Sequence, residues 1–212
     1  MPVVVADRVL DVPHIRQEQS QWCWAACAQM AIQKYGPDNN KIQHWLVEEE
    51  RRASDEQNSV NNPDNSAGYM SEICSIVERE VDNVQGKYIS NPQNMTDHQL
   101  RQILDSGSPV IYLMGRYNTN GSRRSGHIRV IYGYYINTDG DYVYLVHEPW
   151  ETCNKKFGLN GAVGNNIHLD IWRRSLVNIK DENEAGISSI DNPNDDIYGY
   201  ELEEVLYFEE VN

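Results

Sequence analysis

The chain has 212 residues, enough for one domain with a sizeable core, and no apolar stretch approaches a membrane span. A formal charge of −14 would repel phosphates and argues against a nucleic-acid partner; it fits either a basic substrate or a plain solvated acidic surface. The four cysteines, at 23, 27, 74 and 153, include no CxxC pair, so neither a zinc knuckle nor a dithiol redox motif is signalled.

Residues 1–6 are too short, and lack the basic flank, for a classical signal peptide. The expectation is a cytoplasmic protein or a secreted effector that leaves by another route. Residues 1–12 read as an extended lead-in with short strands at 3–6 and 9–12. Pro13-His14-Ile15 carries the chain into a loop at Gln17, with His14 as a cleft wall or surface residue. Residues 22–35 are alanine-rich and helical, and Gly36-Pro37 stops them. Residues 41–52 form an amphipathic helix with Ile42, Trp45, Leu46 and Glu49 on one face and His44 off it. Residues 53–68, rich in Asn, Asp, Ser and Pro, form a long loop. Residues 69–83 form a further helix, with Met70, Ile73, Cys74, Val77 and Val81 on one face, which makes Cys74 a core thiol. A short strand at 87–90 follows. Thr96 and Gln99 then make a capping box, Leu100, Ile103 and Leu104 give that helix its apolar face, and Gly107 ends it. His98 falls in the exposed first turn.

From Pro109 the period becomes strand-like. Residues 110–115, 127–136 and 141–147 are rich in Val, Ile and Tyr. Residues 117–125 read as a hairpin tip, and Thr138-Asp139-Gly140-Asp141 as the next turn. Residues 157–166 read as a loop and 167–179 as a return to the sheet. Residues 181–196 form an acidic segment expected to be mobile, and 200–208 a last strand, placed at the sheet edge because of its glutamates. The whole is an α+β chain, residues 1–212, expected to be a single domain.

Cys23 opens the alanine-rich helix. The unpaired N–H groups and positive end of a helix favour a negative group such as a thiolate, and the same N–H groups can hold an oxyanion. An isolated cysteine is more often a small buried hydrophobe, which is the reading for Cys27 one turn further on. Free buried thiols are expected for Cys27, Cys74 and Cys153, with one disulfide among them as the alternative. His127 follows Gly126 and precedes an apolar strand. Glu148 ends the neighbouring strand, so a base and a group to orient it can meet. His147 competes with Glu148 in sequence, but alternation turns it to the other face.

Cys23-Trp24-Ala25-Ala26, with Gln17 six residues before the cysteine, resembles the Gln…Cys-Trp-Ala run of papain-like cysteine peptidases. The nearest look is to compact bacterial branches, the bacteriocin-leader peptidases and the secreted papain-fold effector proteases. Leu104-Asp105-Ser106-Gly107-Ser108-Pro109-Val110 resembles the lead into their central strand. Residues 125–134 resemble their Gly-His strand, and 143–150 the strand ending in the third catalytic group. The sequence departs from the pattern at Glu148, where the family has Asn or Asp. Glutamate can still orient an imidazole.

The resemblance implies a papain-like fold, an N-terminal helical half packed on a C-terminal antiparallel sheet half. It implies a cysteine endopeptidase, of effector or toxin type, with Cys23 as nucleophile, His127 as base, Glu148 as its orienter and Gln17 in the oxyanion hole. Trp24 would pack behind the nucleophile, and Trp150 would shield the histidine pair or serve as simple core. The substrate would be a protein or peptide, and no cofactor or metal is implied. The alternatives are a papain-fold acyltransferase or deamidase and a non-cleaving peptide-binding module. The oligomeric state is left open.

Overall fold

A computed structural model describes residues 6–36, 41–53, 65, 67–89, 92, 95–118, 122–136, 142–150, 165–168 and 197–211. The elements in order are β1 (Ala6–Val9), α1 (Cys23–Tyr35), α2 (Gln43–Ala53), α3 (Met70–Glu80), β2 (Val84–Ile89), α4 (Asp97–Asp105), β3 (Val110–Asn118), β4 (Arg123–Ile136), β5 (Tyr142–His147), β6 (Asn165–His168) and β7 (Ile197–Glu210). Three helices precede the first long strand, and the strands form one antiparallel sheet in the order β2-β7-β3-β4-β5-β6. This is the α+β, papain-like arrangement of a helical half on a sheet half. The helical half lends the sheet two strands of its own. β1 pairs with β4 at Tyr135 to Gly133, just past Val110↔Ile131 where β3 begins, and β2 pairs with β7.

α1 is enclosed by α2, α3 and β4. Every residue from Trp24 to Ile32 is buried, so the helix is covered all round. Four alanines in that run keep its girth small enough for neighbours on every side. Trp24 fills the space left by Gly68; a Cβ at Gly68 would stand 2.3 Å from the indole. Truncating such a buried tryptophan to alanine costs about 3–5 kcal/mol.

The capping box on α4 forms as expected, with Thr96 Oγ1 accepting from the Gln99 N–H at 3.2 Å and Gln99 Oε1 from the Thr96 N–H at 2.8 Å. Gly107 ends that helix at φ 98°, a conformation that favours glycine. Four expectations change. Ile42 is exposed, because α2 begins at Gln43, two residues later than expected, which leaves Ile42 ahead of the first turn while Gln43, Leu46 and Val47 face inward. His44 is half-buried, its ring edge-on to Trp22. The β3–β4 hairpin is longer than the sequence suggested: its ladder runs to Tyr117↔Arg123, so His127 lies within β4 and not at its start.

The last strand is also not at the edge. β7 sits between β2 and β3 and pairs with both. Its Leu202, Val205, Leu206 and Phe208 are buried, while Glu203 binds Arg123 at 2.6 and 2.8 Å and takes a hydrogen bond from Tyr117. An antiparallel sheet with one wet face accommodates glutamates on a central strand. Cys23, Cys27 and Cys74 are free thiols, and Cys74 is only half-buried against the core. Cys153, the turn at 138–141, residues 54–64 of the long loop and the acidic segment 181–196 lie outside the described residues, while residue 53 closes α2 and does not open the loop. Among the described residues no helix is long and apolar enough to cross a membrane, and no group of three or more His, Cys, Asp or Glu is placed to hold a metal.

Candidate active site

α1 starts at Cys23 with Trp22 as N-cap, no side chain caps it, and its first turn carries no acidic residue. Its positive end is therefore not neutralised from within the helix. Cys23 is partly buried there. Cys27, one turn on, is fully buried beneath it, and burial pushes its thiol well above the ordinary range, with the charges of Cys23 and Glu148 adding to the effect.

His127 and Arg129 share one face of β4, two residues apart. Val130 pairs with His147, so Glu148, at the end of β5, comes level with Arg129. The Glu148 side chain is 1 % exposed and spends both oxygens. Oε1 accepts from His127 Nε2 and, at 2.9 Å, from the Trp150 N–H; Oε2 accepts from Arg129 Nε. Burial opposes the charge on Glu148, but Arg129 and His127 overcome it and hold the carboxyl down at about 2. Burial likewise works against a charged His127. The Glu148 charge, and hydrogen bonds to Cys23 and Glu148, reverse that and raise the imidazole to about 9. With Nε2 engaged by Glu148, the other ring nitrogen, Nδ1, is left for the thiol. Trp150 lies edge-on to the His127 ring, centroids 6.3 Å apart.

The structure thus brings Cys23, His127, Glu148 and Trp150 together. Trp24 points away, into the packing on Gly68. Gln17 sits on the loop before α1. Its N–H donates to the Pro149 carbonyl at 3.0 Å, which ties that loop to the strand end beside Glu148. Gln17 Nε2 donates to the Gln19 carbonyl at 2.8 Å, and since an amide nitrogen carries two hydrogens one remains. Gln17 Oε1 is buried without a hydrogen-bond partner.

The sequence reading missed Arg129. It is 2 % exposed, with Nη1 3.5 Å from Met114 Sδ and Nε on Glu148. Its signal in the sequence is weak, an arginine in the apolar run Ile128-Arg129-Val130 that alternation alone would turn to a wet face; its burial depends on the Glu148 carboxylate that the fold brings to it. His14 is half-buried and donates through Nε2 to the Glu148 carbonyl at 3.0 Å, bracing the same residue from the backbone side.

Comparisons with known proteins agree with this architecture. The family model described as the Peptidase_C39 like family matches residues 9–163. A crystal structure of a protein from Bacillus anthracis, provisionally described as a C39-like peptidase, matches with a TM-score of 0.51 at 12% identity, covering 96% of this chain and 98% of that one. At that identity the likeness concerns the fold alone. No curated protein matches the chain.

Proposed function

The chain belongs to the Peptidase_C39 like family, and on that premise we propose that it is a cysteine endopeptidase working through Cys23, His127 and Glu148, with Gln17 as an oxyanion donor. The reading is supported above all by one contact: His127 holds the buried Glu148 through Nε2, which leaves Nδ1 to serve Cys23, the thiol whose proximity helps raise the imidazole. His127 takes the thiol proton, and the sulfur attacks a peptide carbonyl. The developing oxyanion is met by the second Gln17 Nε2 hydrogen and the Cys23 backbone N–H; one such donor is worth roughly 3–4 kcal/mol. His127 then protonates the leaving amine, and water releases the acyl group from sulfur. Glu148 keeps the ring in the tautomer and direction that both proton transfers need.

Arg129 supplies what a glutamate at this position requires. A carboxylate buried beside a thiolate–imidazolium pair would leave an excess negative charge. The guanidinium makes the four groups neutral together. We also take residues 1–212 as one domain, a reading supported by β7, which is threaded between β2 and β3 and so joins the last described strand to the same sheet.

The test is incubation with an unstructured protein in heavy-oxygen water, beside Cys23→Ala. New peptide ends that carry the heavy oxygen and vanish in the variant are expected. Products lacking new ends but carrying a transferred acyl group, or no Cys23-dependent product, would overturn hydrolysis as the reaction.

A further inference from the structure

Gln43, the first residue of α2, is 1 % exposed and lies with its carboxamide against the backbone on either side of Gln17. Its Nε2 donates to the Arg16 carbonyl at 2.6 Å and, more weakly at 3.4 Å, to Gln29 Oε1. Its Oε1 accepts from the Glu18 N–H at 2.9 Å. A primary amide offers a donor and an acceptor in one plane, as a peptide group does. Gln43 therefore pairs with residues 16 and 18 as a neighbouring strand would, at a place where no strand runs. The third tether is the Gln17 N–H on the Pro149 carbonyl. Three consecutive residues are thus held, the middle one from β5's end and the outer two by one side chain of α2.

The rest of the loop is held in the same manner. Asn65 Oδ1 accepts from the Gln21 N–H at 2.9 Å, and its Nδ2 donates to Ser20 Oγ at 2.8 Å. Asn65 is exposed and Gln43 buried, so the rigid grip is at Gln43. A buried polar side chain with both ends bonded has few alternative positions and is costly to disengage.

We infer that Gln43 is a positioning residue for the reaction: by clamping the Arg16 carbonyl and the Glu18 N–H it fixes the direction in which the Gln17 carboxamide faces the scissile carbonyl. This rests on the reading of Gln17 as an oxyanion donor. The hydrogen bonds of Gln43 go to Arg16, Glu18 and Gln29, and none of these is a reacting group. Gln43 acts on acylation through Gln17 and leaves the thiol–imidazole pair alone.

Two rates on the same folded protein separate these effects. Alkylation of Cys23 by iodoacetamide makes no tetrahedral oxyanion and reads the thiol. Acylation by a peptide nitrophenyl ester, followed as the pre-steady-state burst, reads the thiol and the oxyanion donors together. Gln43→Leu should lower the acylation rate by about 10- to 100-fold and leave alkylation within about two-fold. Gln17→Ala should lower acylation by a similar or larger factor. The double variant should be no slower than Gln17→Ala alone, because Gln43 has nothing left to position. Gln43→Glu, which keeps the acceptor for Glu18 but faces the Arg16 carbonyl with an oxygen, is the second variant and should behave as Gln43→Leu does.

If Gln17→Ala leaves the acylation-to-alkylation ratio unchanged, the oxyanion reading of Gln17 itself fails, and the positioning claim with it. If Gln17→Ala lowers the ratio but neither Gln43 variant does, the inference alone is overturned. Additive losses in the double variant, or failure of both Gln43 variants to fold by circular dichroism, would also overturn it, since a clamp acting on Gln17 leaves the fold standing.

Discussion

His127 and His147 stand on neighbouring strands, and burial pushes both towards the neutral form. They nevertheless end on opposite sides of the ordinary imidazole value, His127 at about 9 and His147 at about 4. His147 lies between two rings, with Tyr132 at 3.9 Å and His14 at 5.1 Å between centroids. Its Nε2 donates to the Val12 carbonyl at 2.8 Å, and its Nδ1 is buried with no partner. A proton on Nδ1 would be an N–H without an acceptor, so burial prevails over the Val12 contact, and His14 adds to the effect. His127 has a carboxylate on Nε2 and a thiol on the other side. Burial alone therefore does not make a histidine reactive or inert. The outcome depends on whether the buried ring meets a charge that favours its proton.

Exchanging the two environments should break the comparison most visibly in activity. His127→Ala is expected to lower Cys23-dependent cleavage by about 10²–10⁴-fold, the usual contribution of a general acid–base. His147→Phe keeps the stack and loses the Val12 contact. It should leave the folded enzyme's cleavage rate within a few-fold and reduce stability by about 1–3 kcal/mol in urea melts.

Glu148→Gln attacks the charge while keeping the shape. Activity should fall by about 10²–10⁴-fold, since one amide oxygen cannot accept from both His127 and Arg129 and the –NH2 must face one of these donors, while the negative charge that favours the imidazolium is gone. The alkaline limb of the cleavage profile, set by loss of the His127 proton at about 9, should move towards neutral pH in the same variant. A limb that stays in place would detach Glu148 from His127. Arg129→Met removes the other partner and leaves a buried carboxylate on one cation. A loss of about 3–5 kcal/mol in unfolding free energy is expected, with the Glu148 carboxyl rising from about 2.

The most gradual effect is on acid stability, where the change is spread over the pH range between two values of one group. The folded value of His147 is below its unfolded value of about 6.5, so its contribution is complete above that pH and is lost as pH falls towards 4, by about 3 kcal/mol in all. Glu148 behaves differently in the acid range. Its folded value of about 2 keeps its contribution intact down to its unfolded value near 4 and spends it only below. Loss of stability between pH 6.5 and 4.5 should therefore shrink in His147→Phe, as thermal melts across that range would register.

Most of the elements that build the site were legible in the sequence, because each carries a local pattern. The alanine run with its Gly36-Pro37 stop marks α1, and the Thr96–Gln99 box marks α4. Alternation of Val, Ile and Tyr marks β3, β4 and β5, and alternation also separates His147 from Glu148. What was not legible depends on contacts distant in sequence. The insertion of β7 between β2 and β3 is decided by which apolar face completes the core, and its glutamates suggested an edge instead. The two polar residues that brace the site are of the same kind. Arg129 and Gln43 look like surface residues until their partners, Glu148 and the backbone at 16 and 18, are brought to them by the fold. Ile42 failed for a simpler reason: the helix starts at Gln43, so Ile42 precedes the first turn and does not extend the apolar face that Leu46 begins.

The most direct measurement is iodoacetamide labelling at neutral pH, mapped by peptide mass for Cys23, Cys27 and Cys74, in the natural chain and in His127→Ala. A thiol paired with His127 predicts rapid single labelling at Cys23, slowed sharply in the variant, with the buried Cys27 untouched. Labelling of Cys23 no faster than that of half-buried Cys74, and indifferent to His127→Ala, would contradict the account.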